Sequence, residues 1–371
     1  MKEKHLLVAG ASGVIGTAAV EHFTQAPDWR ITALSRRAPV VAMGLRCDHL
    51  NVDLSDRVAC ERTIERLPCV THLIYAAVKE APGLVGGWRD EALIAENGAM
   101  FANVLDPLAS KTSLRHVTLL QGAKAYGAHR HPVAVPLRED ALRDDHPNFY
   151  WLHEDHLRRR AADSGFDFTI LRPQVVLGSA PGAAMNPVAA LGAYAALCRE
   201  LGRPFAYPGP GAGAMELVDA GLLAEAFDWA ARSLAAAGQT FNVTNGDVMV
   251  MADAWPEIAA WFGLTSAGEA PANLAAFFAD EACVSAWAQL ADRHGLHSPL
   301  LPDLLGQSHH YLDLLLGARI GARPVPVLLS TIKLRQAGFA ACRDSLASLR
   351  HWLGRMTELK LLPPLLVEDL P

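Results

Sequence analysis

The opening of the chain most constrains its fold, because three glycines follow directly on a short apolar segment. Residues 5–9 lead into Gly10, Gly13 and Gly16, and an alanine-rich helical pattern continues to residue 23. Glycines at this spacing permit a tight turn, close approach of the backbone to a pyrophosphate and close packing of the helix on the strand. The pattern predicts a dinucleotide-binding strand, turn and helix; the alternative is a turn without a ligand. Its predicted cofactor contacts are Gly10, Ser12, Gly13, Val14, Ile15 and Gly16.

Strands and helices alternate along the first half of the chain. Apolar segments predict parallel strands at residues 30–35, 50–54, 70–77, 114–120 and 167–173. Helical patterns lie between them, and Ser55 and Asn148 are predicted to cap two of these helices. Such alternation is typical of an α/β protein with a Rossmann-type, doubly wound parallel sheet.

The end of the second predicted strand indicates which dinucleotide is bound. An acidic side chain there accepts hydrogen bonds from the adenosine ribose of NAD(H), whereas cationic groups accommodate the 2′-phosphate of NADP(H). This chain has Ser35, Arg36 and Arg37 at that point and no acidic residue. Two guanidinium groups can bind a phosphate through several directed N–H donors. The sequence therefore favours NADP(H); the alternative is that one or both arginines point to solvent.

Ligands of doubly wound sheets bind at the carboxyl ends of the strands, so residues there are further candidates. Asp53 is predicted to meet the adenine amino group, and the small residues Ala76 and Ala77 leave room for the cofactor. The predicted cofactor contacts beyond the opening turn are Ser35, Arg36, Arg37, Asp53, Leu54, Ala76, Ala77, Gln121, Lys124, Tyr150, Pro173 and Val176.

The alternation weakens after residue 175, which indicates a second part of the molecule. We predict a cofactor-binding domain at residues 1–175, with its sheet completed by residues 217–247. Residues 176–216 and 248–371 are predicted to form a smaller, mainly helical C-terminal lobe that caps the nicotinamide and supplies the substrate pocket.

Composition argues against several classes of partner. The formal net charge of −6 disfavours nucleic acid or an anionic membrane as the main partner. Six cysteines without C-x-x-C pairs fit a reduced, cytoplasmic compartment, and the first residues lack the pattern of a signal peptide. His153 and His156 are one residue too close for the zinc motif H-E-x-x-H, so no metal site is predicted. A homodimer is left open.

The usual catalytic pair of short-chain dehydrogenases is absent. In that pair a tyrosine and a lysine lie four residues apart on one helix, and the ammonium group lowers the pKa of the phenol. Here Tyr150 is followed four residues later by Glu154, and Tyr126 by Arg130 in an irregular loop. Lys124, just beyond a predicted strand end, is placed to supply the missing cation.

The motifs around these residues resemble the progesterone 5β-reductase and iridoid synthase family, a group of atypical extended short-chain dehydrogenases. Gly122-x-Lys124-x-Tyr126 and Asn148-Phe149-Tyr150-x-x-x-Glu154-Asp155 match this family, in which the lysine lies at the preceding strand end. The resemblance covers nearly the whole chain. It includes the opening glycines, Ser35-Arg36-Arg37, and the segments at 97–106, 172–173, 185–188 and 241–247.

The resemblance implies NADPH-dependent 1,4-reduction of an enone or enal, a small molecule with an activated carbon–carbon double bond. On this basis hydride goes to the β-carbon, Tyr150 stabilises the enolate oxygen, and Lys124 supports Tyr150 and holds the cofactor ribose. Two departures bear on the substrate: the family's second motif tyrosine is Trp151, and its pocket aromatics fall near Arg130 and Tyr311. We therefore expect a pocket more polar than one for a steroid, with Arg130, Met185 and Tyr311 as its predicted residues.

Two other functions stay open. A carbonyl reductase or a sugar-nucleotide epimerase or dehydratase would share the cofactor half. Its reaction takes a proton from an alcohol and so needs the missing Tyr-x-x-x-Lys pair. A protein that senses NADP(H) without turning it over would typically lack the tyrosine, and the presence of Tyr150 with Lys124 argues against it.

Overall fold

The computed structural model describes residues 4–41, 44–45, 47–210, 213–270, 272–317 and 325–366. The chain forms two compact units. The first comprises Met1–Gln174, Ala220–Thr244 and Val327–Cys342, and the second comprises Val175–Asp219, Asn245–Pro326 and Arg343–Pro371. Val327–Cys342 thus packs within the first unit and not with the rest of residues 248–371.

The described residues form short strands and helices along the whole chain. The strands are β1 (Lys4–Ala9), β2 (Trp29–Ser35), β3 (Asp48–Asn51), β4 (His72–Tyr75), β5 (His116–Leu120), β6 (Asp167–Pro173), β7 (Val175–Leu177), β8 (Phe205–Tyr207), β9 (Ala214–Met215), β10 (Leu217–Asp219), β11 (Gln239–Val243), β12 (Met249–Val250) and β13 (Ser266–Glu269). The helices are α1 (Val14–Thr24), α2 (Arg57–Ile64), α3 (Glu91–Lys111), α4 (Phe149–Ser164), α5 (Pro187–Glu200), α6 (Ala220–Arg232), α7 (Met251–Trp261), α8 (Leu274–Ala279), α9 (Glu281–His294), α10 (Leu301–Leu305), α11 (Ser308–Leu315), α12 (Ile332–Gln336) and α13 (Ser345–Glu358). Single 3₁₀ turns lie at Gly87–Arg89, Ala123–Tyr126 and Leu234–Ala236.

A seven-stranded parallel sheet forms the centre of the first unit. Its strand order is β11-β6-β5-β4-β1-β2-β3, and every neighbouring pair is parallel. Apart from the edge strand β3, which is mostly polar and partly exposed, the strands are short, mostly apolar and buried, as expected for a parallel sheet whose two faces are covered by helices. The chain reverses its direction of winding between β1 and β4, which is where such sheets bind ligands. This arrangement confirms the predicted doubly wound α/β fold.

The second unit is mainly helical. Its short strands pair as β7 with β10, β8 with β13 and β9 with β12. Helix α13 buries Leu349, Leu353 and Met356, which recur at helical spacing and so share one face. Within the described ranges, no helix of either unit is both long and apolar enough to cross a membrane.

Two predicted helix caps have different outcomes. The Ser55 cap is wrong, because α2 is capped by the carboxylate of Asp56, which accepts from the Ala59 amide at 2.9 Å. The Ser55 hydroxyl donates instead to Oδ1 of Asp53 at 2.8 Å. The Asn148 cap of α4 is confirmed, since its side-chain oxygen accepts from the amide of Tyr150 at 3.0 Å.

Candidate active site

The glycine turn joins β1 to α1 and packs against the end of β4. Gly10 has a φ of +83°, and a Cβ on it would lie 2.6 Å from the amide nitrogen of Ala77. A Cβ on Gly16 would clash with the carbonyl oxygen of Gly10, so the helix packs directly on the strand end. Gly13 is the N-cap of α1 and has no side chain to cover the first amide groups. The turn therefore fits a pyrophosphate, which the open amides and the positive end of the helix dipole would bind.

Replacing Gly13 and Gly16 separately distinguishes cofactor binding from folding. Gly16→Ala is expected to lower the free energy of unfolding by about 2–3 kcal/mol, because its Cβ overlaps Gly10. Gly13→Ala should fold normally, since its Cβ would contact the Gly10 oxygen at 3.4 Å, but it should bind NADPH much more weakly. Urea unfolding and NADPH fluorescence titration measure the two effects. Wild-type NADPH affinity in Gly13→Ala would show that the turn does not approach the cofactor.

Ser35 ends β2, and Arg36 and Arg37 form a bend directly beyond it. The two arginine side chains are exposed, and in the part of the chain that the structure describes neither guanidinium group forms an ion pair. The backbone of the bend is held from β3: Asn51 Nδ2 donates to the Arg36 carbonyl at 2.9 Å, and His49 Nε2 lies 3.1 Å from the Ser35 carbonyl oxygen. Ser35 Oγ donates to the Arg37 carbonyl at 2.6 Å. Both guanidinium groups are therefore available to bind an anion at the carboxyl end of β2.

Four other predicted cofactor contacts lie at or near strand ends. The Asp53 side chain is exposed and accepts from the amide of Ser55 at 3.0 Å, and its hydrogen bonds to Ser55 hold the pKa of the carboxyl below its usual value. Leu54 is buried in the core of the first unit. Pro173 ends β6, whereas Val176 lies in β7 and so belongs to the second unit.

Lys124 lies in the 3₁₀ turn that follows β5. Its side chain is 14% exposed, and Nζ lies 3.4 Å from Oε1 of Glu80. The same ammonium group lies 4.5, 5.5 and 5.8 Å from the ring centres of Trp88, Phe149 and Tyr150. Burial lowers the pKa of Lys124, and the carboxylate of Glu80 opposes that shift. The structure therefore places a buried cation beside the ring of Tyr150.

Tyr150 lies in the first turn of α4, and its hydroxyl reaches the carboxyl ends of β5 and β6. A Cβ on Gly122 would lie 3.3 Å from the hydroxyl oxygen and 3.4 Å from the carbonyl oxygen of Pro173. The absence of a side chain at Gly122 therefore leaves room for the phenol. Lys124 and Tyr150 come from separate segments, and the fold brings them together at the carboxyl ends of β5 and β6.

Glu154, at the position of the usual lysine, belongs to a polar network inside the first unit. Its Oε2 accepts from Nε2 of Gln121 at 2.9 Å, and the Gln121 oxygen accepts from Arg172 Nε at 2.7 Å. Arg158 donates two hydrogen bonds to Oε1 of Glu154, at 3.0 and 2.9 Å. Both oxygens of Glu154 are thus engaged, and Gln121 links β5 to α4.

Asn148 connects the two candidate catalytic segments. Its oxygen caps the amide of Tyr150, and its Nδ2 donates to the carbonyl of Lys124 at 3.1 Å. The same amide nitrogen lies 3.2 Å from Nε2 of the buried His146, whose Nδ1 is 2.6 Å from Oδ1 of Asp144. These contacts fix the start of α4 against the turn that carries Lys124.

Sequence reasoning missed Glu80 and Trp88 and the connecting role of Asn148. Glu80 and Trp88 belong to the segment after β4, and the indole N–H of Trp88 donates to Oε2 of Glu80 at 2.9 Å. The position of Glu80 soon after the carboxyl end of the central strand β4 is the signal that could have identified it, whereas Trp88 lies further along the chain, in the 3₁₀ turn Gly87–Arg89.

The predicted pocket residues lie in both units. Arg130 is exposed and belongs to the first unit. Met185 precedes α5 and Tyr311 lies in α11; both are half-buried and belong to the second unit. A separate apolar pocket within the second unit is lined by Trp255 and Leu312 among others.

The two histidines of the near-zinc motif have protein partners. Nε2 of His153 lies 2.8 Å from the carbonyl oxygen of Asn97, and Nε2 of His156 lies 2.8 Å from Oδ1 of Asp106. Among the described residues, no three histidine, cysteine or acidic side chains are grouped so that they could hold a metal ion.

Comparison with known proteins identifies relatives along almost the whole chain. Residues 6–244 match the NAD dependent epimerase/dehydratase family. The (S)-8-oxocitronellyl enol synthase of Antirrhinum majus is 28% identical over 96% of this chain and 92% of its own length. The 3-oxo-Delta(4,5)-steroid 5-beta-reductase of Arabidopsis thaliana is 27% identical over 97% of this chain and 94% of its own length.

A solved structure supports the fold. The Bordetella bronchiseptica enzyme WbmG, in complex with NAD and UDP, matches with a TM-score of 0.65 and 15% identity over 97% of each chain. The curated relatives confirm the resemblance to the progesterone 5β-reductase and iridoid synthase group. The chain therefore belongs to the NAD dependent epimerase/dehydratase family, as an oxidoreductase of the extended short-chain dehydrogenase/reductase type.

Proposed function

We propose that this protein is an NADPH-dependent reductase of activated carbon–carbon double bonds, with an enone or enal as substrate. The observation that carries the proposal is the buried ammonium of Lys124, 5.8 Å from the centre of the Tyr150 ring. This pair combines a hydroxyl donor with a cation at the carboxyl ends of the strands, where doubly wound sheets bind their ligands.

The names of two relatives support this chemistry. A 3-oxo-Delta(4,5)-steroid carries a double bond conjugated to a ketone, and the Arabidopsis relative is named as its 5-beta-reductase. The Antirrhinum relative is named as an enol synthase. Hydride addition to the β-carbon of an enal leaves an enolate, and protonation of that enolate on oxygen gives an enol. Both names are therefore consistent with 1,4-reduction.

The residues of the site suit this reaction. When bound, NADPH supplies the hydride that is added to the β-carbon. Negative charge then develops on the carbonyl oxygen, to which the Tyr150 hydroxyl donates a hydrogen bond; such donors are typically worth about 3–4 kcal/mol in the transition state. Lys124 places positive charge beside the phenol, and its three N–H groups can also bind ribose hydroxyls. Asn148 forms hydrogen bonds with the backbone of both residues and so holds their two segments together.

NADPH is proposed over NADH on the chemistry of the turn after β2. Arg36 and Arg37 are exposed and lie where the adenosine 2′-phosphate is bound in this fold. No acidic residue of the turn is present to accept hydrogen bonds from an unmodified ribose. Guanidinium groups bind phosphate through paired N–H donors, which favours the phosphorylated cofactor.

An assay with three conditions tests the proposal. The protein is given NADPH with a small enone, with the matched saturated ketone, or with no substrate. We expect oxidation of NADPH with the enone alone, and product analysis should show the saturated carbonyl compound. Faster oxidation with the saturated ketone would instead identify a carbonyl reductase. NADPH binding without oxidation in any condition would identify a sensor.

A further inference from the structure

Glu80 is a buried carboxylate that contacts the proposed catalytic lysine. Its side chain is 4% exposed, and its Oε1 lies 3.4 Å from Nζ of Lys124. The other oxygen, Oε2, accepts the indole N–H of Trp88 at 2.9 Å. The Trp88 ring centre also lies 4.5 Å from the ammonium group, so Trp88 contacts both members of the ion pair.

A buried ammonium group depends on a nearby negative charge. Desolvation disfavours the charged form of a lysine, and removal of one partner of a buried ion pair leaves the other charge uncompensated. Burial accordingly lowers the pKa of Lys124, and Glu80 is the group that raises it. The other close neighbours of the ammonium are the faces of Phe149 and Tyr150, which attract a cation more weakly than a carboxylate does.

The titratable and cationic groups nearby do not replace Glu80. His129 lies against the Trp88 ring, and burial lowers the pKa of His129 to about 3, so it carries no charge at neutral pH. Arg89 and Arg130 add positive charge near His129. His146 reaches the Lys124 backbone only through Asn148. Within the described residues, the ammonium of Lys124 therefore has a single acidic partner.

We propose that Glu80 is a positioning residue whose carboxylate keeps Lys124 protonated and holds its ammonium group over the ring of Tyr150. This inference rests on the proposed roles of Lys124 and Tyr150. Without the carboxylate, Lys124 loses its proton as the pH rises. A neutral amine neither supports charge that develops on the enolate oxygen nor donates charge-assisted hydrogen bonds to the cofactor ribose.

Glu80→Gln tests this role through pH dependence, because the amide keeps the size of the side chain and removes its charge. The basic limb of the kcat profile for enone reduction is expected to move to lower pH by about one unit or more. NADPH affinity, measured by fluorescence without substrate from pH 6.5 to 9.5, should fall over the same range. Loss of a purely structural residue would instead lower kcat by the same factor at every pH.

Two further variants serve as controls. Glu96→Gln removes the acidic partner of Lys79 in a more exposed ion pair and should leave both pH profiles unchanged. Glu80→Asp retains the negative charge, so the basic limb of its kcat profile should lie close to the pH of the wild-type limb. If Glu80→Gln does not fold, Trp88→Phe replaces it, because it removes the N–H that holds Oε2. We expect a smaller shift of the limb in the same direction.

The outcomes separate this inference from the proposed function. A folded Glu80→Gln protein with wild-type pH profiles, or with a loss that is uniform across pH, would overturn the role of Glu80. Absence of enone turnover in the wild type would overturn the proposed function instead. The substrate-free NADPH titration would then still decide whether Glu80 keeps Lys124 protonated.

Discussion

Replacement of Tyr150 by phenylalanine is expected to lower kcat for enone reduction by about 10²–10³-fold, the usual effect of removing one donor to a developing oxyanion. The hydroxyl is the group that reaches the carboxyl ends of β5 and β6, 3.3 Å from where a Cβ on Gly122 would lie. NADPH affinity should stay close to that of the wild type, because the ring and its contact with Lys124 remain. Steady-state kinetics with a small enone and NADPH fluorescence titration measure the two quantities.

Tyr126→Phe is the matched control for this substitution. The Tyr126 hydroxyl donates to Oδ1 of Asn242 at 2.6 Å and so has a structural partner of its own. Its removal should lower the free energy of unfolding by about 1 kcal/mol and leave kcat near the wild-type value. Equal losses of enone turnover in the two variants would show that Tyr150 is not the donor to the enolate.

Most of the fold could be predicted from local pattern. The opening glycines mark a strand, a turn and a helix because a Cβ at Gly10 or Gly16 would overlap neighbouring backbone, so only glycine permits the close packing. Short apolar runs separated by helices then require a parallel sheet, whose winding is restricted to one hand. The helix start near residue 55 was harder to predict, because Ser55 and Asp56 are both good caps. Asp53 decides between them by binding the Ser55 hydroxyl.

The candidate site could be predicted only in part. Lys124 and Tyr150 stand out because each departs from a common motif in a recognisable way. Glu80 does not, since its contact with Lys124 joins segments that are 44 residues apart. In the sequence, Glu80 and Lys124 each follow a strand end, but only the fold determines that their side chains turn toward each other. Glu154 illustrates the same limit, because Gln121 and Arg172 reach it from beyond β5 and from β6, whereas only Arg158 lies one turn away on the same helix.

The proposed preference for NADPH rests on a bend after β2 whose backbone is held by its neighbours. Side chains of β3 contact the carbonyls of Ser35 and Arg36, and Ser35 itself donates to the carbonyl of Arg37. These contacts restrict the backbone, so less conformational entropy is lost when a phosphate binds the two guanidinium groups. The backbone of this bend is therefore restrained by the protein's own side chains.

Substitution of both Arg36 and Arg37 by alanine is expected to weaken NADPH binding by about 100-fold or more, since hydrogen bonds to charged groups contribute about 1.5–3 kcal/mol each. NADH affinity should change little, because NADH has no 2′-phosphate. Arg30→Ala is the matched control: Arg30 is exposed near the start of β2, at the opposite end of the strand from Arg36, and pairs with Asp48 at 3.2 Å, so both affinities should be retained. Fluorescence titration with each dinucleotide measures the effect. If the double variant loses affinity for NADPH and NADH equally, the guanidinium groups do not recognise the phosphate, and any preference must come from Ser35 or from β3.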